Sequence, residues 1–163
     1  MTRPAEGLPA AGPLRLVLFR IQDRRCAFPL TAVERVLPML APEPLPDAPP
    51  IVRGVVNIRG RIVPVIDVRA RLGLPHCDLG VSGRLVLART RRRLLAAPVD
   101  EVDGVREADL GPVAPPESVL AGLRRLSGLL ALPDGVLFIH DLESFLSLEE
   151  ESSLTRALDG TRA

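Results

Sequence analysis

Lysine, tryptophan and tryptophan's usual partners in stacking are scarce or missing in this 163-residue chain: it has no Lys, Trp or Tyr, four Phe, two Cys and two His. Each shortage excludes something. Proteins that hold single-stranded nucleic acid interleave basic clusters with stacking rings, and four Phe cannot furnish such a platform. The clusters Arg24-Arg25, Arg91-Arg92-Arg93 and Arg124-Arg125 therefore read as solvated charges at turns and strand ends, where they block unwanted edge pairing. Cys26 and Cys77 have neither zinc-ligand nor CxxC spacing, so the expectation is two structural thiols in a reducing compartment, with no disulfide framework. No apolar run approaches the roughly 20 residues of a membrane span, and the N-terminus lacks the order of a secretory signal. A cytoplasmic protein that is neither exported nor inserted is expected. The 20 acidic residues nearly cancel the 21 basic ones, leaving a formal net charge of +1. Electrostatics must then act locally, not through a global field.

Reactive groups are also few. There is no GxSxG, HExxH, Walker or dinucleotide fingerprint. His76 falls in a loop and His140 at a strand end, a poor setting for a phosphate-accepting helical histidine. Asp100 and Glu101 are adjacent, and strand alternation points neighbouring side chains to opposite faces. No catalytic residue, metal site or cofactor is expected.

What is present is a series of short apolar strands with turn signals. Residues 1–13 are rich in Pro, Ala and Gly without periodicity and read as a disordered leader. Leu14–Ile21 and Cys26–Leu30 read as strands flanking a polar turn, with Pro29 at an edge or strand end. Thr31 and Glu34 have capping-box spacing, which predicts a helical turn over Ala32–Leu37, stopped by Pro38. After the proline-dense loop 41–50, Ile51–Leu72 (IVRGVVNIRGRIVPVIDVRARL) reads as a hairpin turning at Arg59-Gly60-Arg61. Its apolar residues alternate imperfectly, which predicts cover on both faces. Gly60 suits a positive φ, and Gly54 admits a bulge or the close approach of another backbone. Asp67 is placed to cap a short helix over Val68–Leu72, ended by Gly73. Gly83–Arg89 and Leu94–Val99 form a further hairpin, Glu101–Glu107 a strand, and Leu123–Leu132 with Gly135–His140 another hairpin around Pro133-Asp134-Gly135. Pro98, lacking a donor, is expected at an edge or bulge. From Asp141 the spacing of Leu142, Phe145, Leu146 and Leu148 predicts helix, fraying through Glu149–Glu151. Many short strands and little helix indicate an all-β barrel or sandwich.

The run GVVNIRGRIVPVIDVR closely resembles the signature hairpin of CheW-like domains, the adaptors of bacterial chemotaxis arrays. The likeness continues over roughly Leu14–Glu149: LRLVLFRIQDRRCAFPLTAVERVLP resembles the family's opening hairpin, Val99-Asp100-Glu101-Val102 its second-barrel element, and LSGLLALPDGVLFIHDLESFLSLEEE its closing hairpin and terminal helix. The resemblance implies an all-β fold of two five-stranded, SH3-like barrels packed around a shared core, with short helices and a C-terminal helix. Residues 14–149 would form the domain and 150–163 the end of the helix or a tail.

The function so implied is that of a non-catalytic adaptor coupling the cytoplasmic tip of methyl-accepting chemoreceptors to the regulatory domain of a CheA-type histidine kinase. Such a protein needs no cofactor and is recruited to membrane-associated arrays. A scaffold for a non-chemotactic two-component pathway, with a pilus, gliding or other output, is the alternative. The family's receptor-binding positions carry over onto Val33, Arg35, Gly54, Asn57, Arg59 and Gly60. A guanidinium at a fixed turn presents five donors in a planar fork and binds carboxylates bidentately, which suits Arg59 to recognition. A solubilising turn arginine is the plainer reading. Asn57 could instead hold the hairpin through side-chain to backbone bonds. Arg35 stands where the family commonly shows an acidic residue, a reversal that leaves the receptor's identity open.

Overall fold

Strand alternation sorts the apolar residues of this chain onto two faces, and several strands bury both. In the computed structural model, residues 13–78, 80–109, 126–132 and 135–160 are described. Ten strands form two sheets. The first contains β1 (Pro13–Ile21), β2 (Arg24–Pro29), β8 (Glu101–Asp109), β9 (Leu126–Leu132) and β10 (Gly135–His140), in the order β8-β1-β2-β10-β9. The second contains β3 (Val33–Pro38), β4 (Val52–Ile58), β5 (Arg61–Ile66), β6 (Arg84–Arg89) and β7 (Leu94–Val99), in the order β3-β6-β7-β5-β4. Most neighbours are antiparallel; β10 with β2 and β5 with β7 are parallel. Among the described residues the α-helices are α1 (Val68–Arg71) and α2 (Leu148–Gly160).

Each sheet has its own apolar interior. That of the first gathers Leu16, Ala27, Leu137 and Ile139, and that of the second includes Val56, Val63, Val65, Leu85, Leu87 and Ala96. A third cluster joins them. It takes Phe19, Ile21 and Phe28 from the first sheet, Ile66, Val86, Ala88, Leu95 and Ala97 from the second, and Phe145 and Leu154 from the C-terminal segment. The period of two is visible strand by strand: in β7, Leu94 and Ala96 face the second interior while Leu95, Ala97 and Val99 face the joint. This is why β6 and β7 are apolar without alternation. Three of the four Phe meet in the joint, with Phe19–Phe28 centroids 4.6 Å apart and Phe28–Phe145 5.9 Å. Burying each such side chain contributes about 1.5–3 kcal/mol.

The local signals around the signature hairpin are realised. The side chain of Asp67 caps α1, accepting from the Ala70 N–H at 3.0 Å, and Gly73 takes φ 72° beyond its end. Pro29 ends β2.

Other expectations are corrected. Ala32–Leu37 is not a helical turn: a 3-10 turn occupies Leu30–Ala32 and Val33–Pro38 is strand. The residue before that turn is Pro29, with no side-chain cap, while pairing with β6 from Val33↔Ala88 to Pro38↔Arg84 satisfies the backbone instead. The acidic run Glu149–Glu151 does not fray a helix but begins one. Carboxylates are favoured beside the exposed N–H groups of a helix start, and Ser147 and Glu150 cap each other there, Glu150 N–H to Ser147 Oγ at 3.1 Å and Ser147 N–H to Glu150 Oε1 at 2.8 Å. Asp141–Ser147 holds only a 3-10 turn, Leu142–Ser144. Pro98 is buried inside the central strand β7, not at an edge. Its missing donor is tolerated because β7 pairs with β5 only through Val65↔Ala96, leaving no β5 acceptor to satisfy at position 98. Cover on both faces holds for Val63–Ile66 of β5, whereas β4 alternates, exposing Asn57 between buried Val56 and Ile58. The expected leader up to residue 12, the loop 111–116, residues 123–125 and the turn at 133–134 lie outside the described residues.

Candidate functional site

The β4–β5 hairpin is buried at its root and exposed at its tip. At the root, Gly54 is buried with φ 146°, and a Cβ there would run into the carbonyl of Glu43. The proline-dense loop crosses at this point, with Glu43 and Val55 exchanging two backbone hydrogen bonds of 2.8 Å. The register of β4 against β5 shifts between Val52 and Gly54. Both the bulge and the close backbone approach are present, and they give Gly54 a steric role beneath the surface.

At the tip, Arg59 and Gly60 have φ 53° and 86°. Two consecutive positive φ values make the two-residue turn whose twist matches paired strands. Asn57 Oδ1 accepts from the Gly60 N–H at 2.8 Å, so Asn57 holds the turn through the backbone. Arg59 is exposed, and no described residue pairs with its guanidinium. A side chain other than Gly in the left-handed region costs about 1–2 kcal/mol, so this arginine sits at a position where its presence is opposed by the backbone.

The two segments assigned to recognition are brought together. Arg61 Nη1 donates to Glu34 Oε1 at 3.3 Å, joining the hairpin to β3. Arg35 is exposed beside Glu34, whereas Val33 is half-buried and packs on the joint core. A cleft of about 660 Å³ runs from Gly60 and Arg61 past Ile62 and Pro64 to Arg89 and Leu158. Ile62 is 55% exposed at its edge, giving an apolar contact among arginines.

Not every arginine cluster is solvated. Arg93 lies in the β6–β7 turn region, where its Nε donates to Glu151 Oε2 at 2.9 Å and its Nη2 to Thr155 Oγ1 at 2.7 Å. The Arg93 and Glu151 side chains are 17% and 7% exposed, so the pair clamps α2 onto the second sheet. Arg71 grips both carboxylate oxygens of Glu150 at 2.7 Å. Arg24 lies over the Phe138 ring at 5.1 Å. Arg124 and Arg125 fall outside the described residues. Asp100 and Glu101 have separate partners, Arg69 and Arg20. His140 is wholly buried, out of reach of any phosphoryl donor. Cys26 is buried, and burial, partly opposed by Arg24, pushes its thiol up to about 12; Cys77 is exposed in a loop. Among the described residues no group of His, Cys, Asp and Glu is placed to hold a metal, and no helix is long and apolar enough to cross a membrane.

A family profile described as "CheW-like domain" matches residues 15–150. The chain is 27% identical over 155 residues to the chemotaxis protein CheW of Rhizobium meliloti, covering 94% of this chain and 99% of that protein. It is 31% identical over 98 residues to protein FrzA of Myxococcus xanthus, covering 60% of this chain and 61% of the other. The crystal structure of the scaffolding protein TtCheW from Thermoanaerobacter tengcongensis matches with a TM-score of 0.77 at 22% identity, over 85% of this chain and 96% of that one. The likeness extends to the architecture of two five-stranded barrels.

Proposed function

Because this chain belongs to the CheW-like domain family, we propose that it is a non-catalytic coupling scaffold, joining the cytoplasmic tip of a methyl-accepting chemoreceptor to the regulatory domain of a CheA-type histidine kinase. The observation that carries this reading is Arg59: an exposed guanidinium, without a partner among the described residues, held at a left-handed turn position. Strain retained at an exposed side chain points to a contact made elsewhere. An ion pair between Glu34 and Arg61 ties the hairpin tip to β3, which supports a rigid surface that includes Arg59. A receptor that changes conformation then alters its affinity for that surface, and the difference in affinity between its states biases the attached kinase. Gly54 and Gly60 support this surface by admitting the backbone, Asn57 by pinning the turn, and Val33 by anchoring β3 to the core. The protein works in the cytoplasm, recruited to membrane-associated arrays, without a cofactor.

A second reading, a scaffold of a two-component pathway with another output, is favoured by the likeness to FrzA, which does not bear the chemotaxis name. The test is reconstitution. The purified chain, a receptor-tip fragment and the kinase regulatory domain encoded beside it should co-elute as a ternary complex in size-exclusion chromatography. Binding to the kinase domain without the receptor fragment supports the second reading, and ATP hydrolysis or phosphate uptake by the chain alone would overturn both.

A further inference from the structure

His140 is fully buried in the joint between the sheets, and neither of its ring nitrogens has a hydrogen-bond partner among the described residues. Phe19, Phe28 and Phe145 wall the ring, with centroids 6.4, 6.4 and 5.9 Å away. It is the last residue of β10, and the ladder to β9 shifts register as it is reached. The parallel pairing with β2 is made by Phe138 and Ile139, so beyond His140 the chain leaves the sheet. Residues 141–160 are then held by side chains: Leu142, Phe145, Leu146 and Leu154 in the joint, and the ion pairs of Glu150 with Arg71 and Glu151 with Arg93.

Among the described residues an imidazolium in this cage would meet no free carboxylate. From β2 the charge that reaches the ring is Arg24, of the same sign, and Cys26 beside it is a neutral thiol. β1 presents Phe19, β2 Phe28, and the residue that follows the 3-10 turn is Phe145. Asp141 and Glu143 are engaged by the backbone N–H groups of Glu143 and Arg91, and Glu150 and Glu151 by their arginines.

We infer that His140 is an acid-sensitive latch: it takes up a proton only when the segment 141–160 lifts away, so acidification releases that segment while the two sheets stay paired. Burial, with Arg24 adding to it, lowers the ring from an ordinary 6.5 to about 3 in the closed state. Between those values the open state binds a proton that the closed state does not, so closure weakens as the pH falls through 6.5 toward 3. From about pH 7.5 to about pH 5 the opening equilibrium should rise about 30-fold by this linkage. The Arg71 pair persists across that range: burial works against the Glu150 carboxylate, but hydrogen bonds from Ser147 and Arg71 outweigh it and hold the carboxyl below its ordinary value.

Hydrogen exchange read by mass spectrometry on the full chain, corrected for the intrinsic pH dependence of exchange, tests the latch with His140→Phe as the variant that cannot titrate. In the wild type, opening of 141–160 should rise about 30-fold between about pH 7.5 and about pH 5 without a matching rise in β1, β2, β5 or β7, and the variant should stay flat. An equal rise in the variant, or a uniform rise along the chain, overturns the inference. A second measurement needs no variant: by NMR, the His140 ring of the native protein should keep the chemical shift of a neutral imidazole down to about pH 5. A ring that titrates near its ordinary value in the intact fold also overturns it.

Discussion

The second sheet has two hairpins with arginines at their turns, and it uses them differently. In the β6–β7 hairpin, Arg93 turns inward to a buried carboxylate and a hydroxyl on α2. In the β4–β5 hairpin, Arg59 stands in solvent on a backbone conformation that disfavours it. The lesson is that arginine at a turn carries no role by itself. Where the next layer of structure supplies a carboxylate the side chain becomes part of the fold, and where none is supplied it remains available to a partner. The root of the β4–β5 hairpin extends the contrast, since Gly54 is as fully committed to packing as Arg59 is free of it.

Substitutions should separate these positions by size of effect. Gly54→Val is the most damaging, because the new side chain meets the Glu43 backbone and must take up a glycine-favoured φ; a loss of at least about 3 kcal/mol is expected in urea unfolding. Arg93→Ala comes next, leaving Glu151 buried and unpaired at a cost of about 3 kcal/mol. Pairing it with Glu151→Leu should recover part of that loss, which a solvated pair would not do. Asn57→Ala removes the bond to the Gly60 N–H and should cost about 1 kcal/mol, with a calorimetric Tm lowered to match. Arg59→Gly has the smallest effect and the opposite sign. Relief of the left-handed strain, less the entropy that glycine gains in the unfolded chain, leaves the variant as stable as the wild type or up to about 1 kcal/mol more stable. An Arg59→Gly protein destabilised as much as Arg93→Ala would erase the contrast between the two hairpins.

Features set by neighbours in the chain were legible before the fold was known. Asp67 capping α1, Gly73 ending it, the positive φ at Gly60 and the close approach at Gly54 are contacts over a few residues or backbone demands that only certain residues meet. The imperfect alternation of the signature hairpin announced two covered faces, realised in β5, though not that one face belongs to a barrel and the other to a joint. The resemblance to a known family supplied that pairing. Features that failed were decided at long range. Thr31 and Glu34 have the spacing of a cap, yet Glu34 is taken by Arg61 and the backbone of β3 by β6. Arg93 finds Glu151, 58 residues later, a pairing that no local pattern encodes. Ser147 and Glu150 are the reverse case, because their cap was readable from spacing and was overlooked beside the acidic run that surrounds it.

A hairpin tip that is a contact and not a prop loses its partner, and not its fold, when its charge is reversed. Titration calorimetry of Arg59→Glu against the receptor-tip fragment and, separately, against the kinase regulatory domain tests it most directly, with circular dichroism as a check of fold. Expected are wild-type stability within about 0.5 kcal/mol, unchanged affinity for the kinase domain and a loss of receptor affinity of at least about tenfold, as follows when a charge is reversed within an interface. Unaltered receptor binding by a folded Arg59→Glu protein would contradict it, as would a variant that no longer folds.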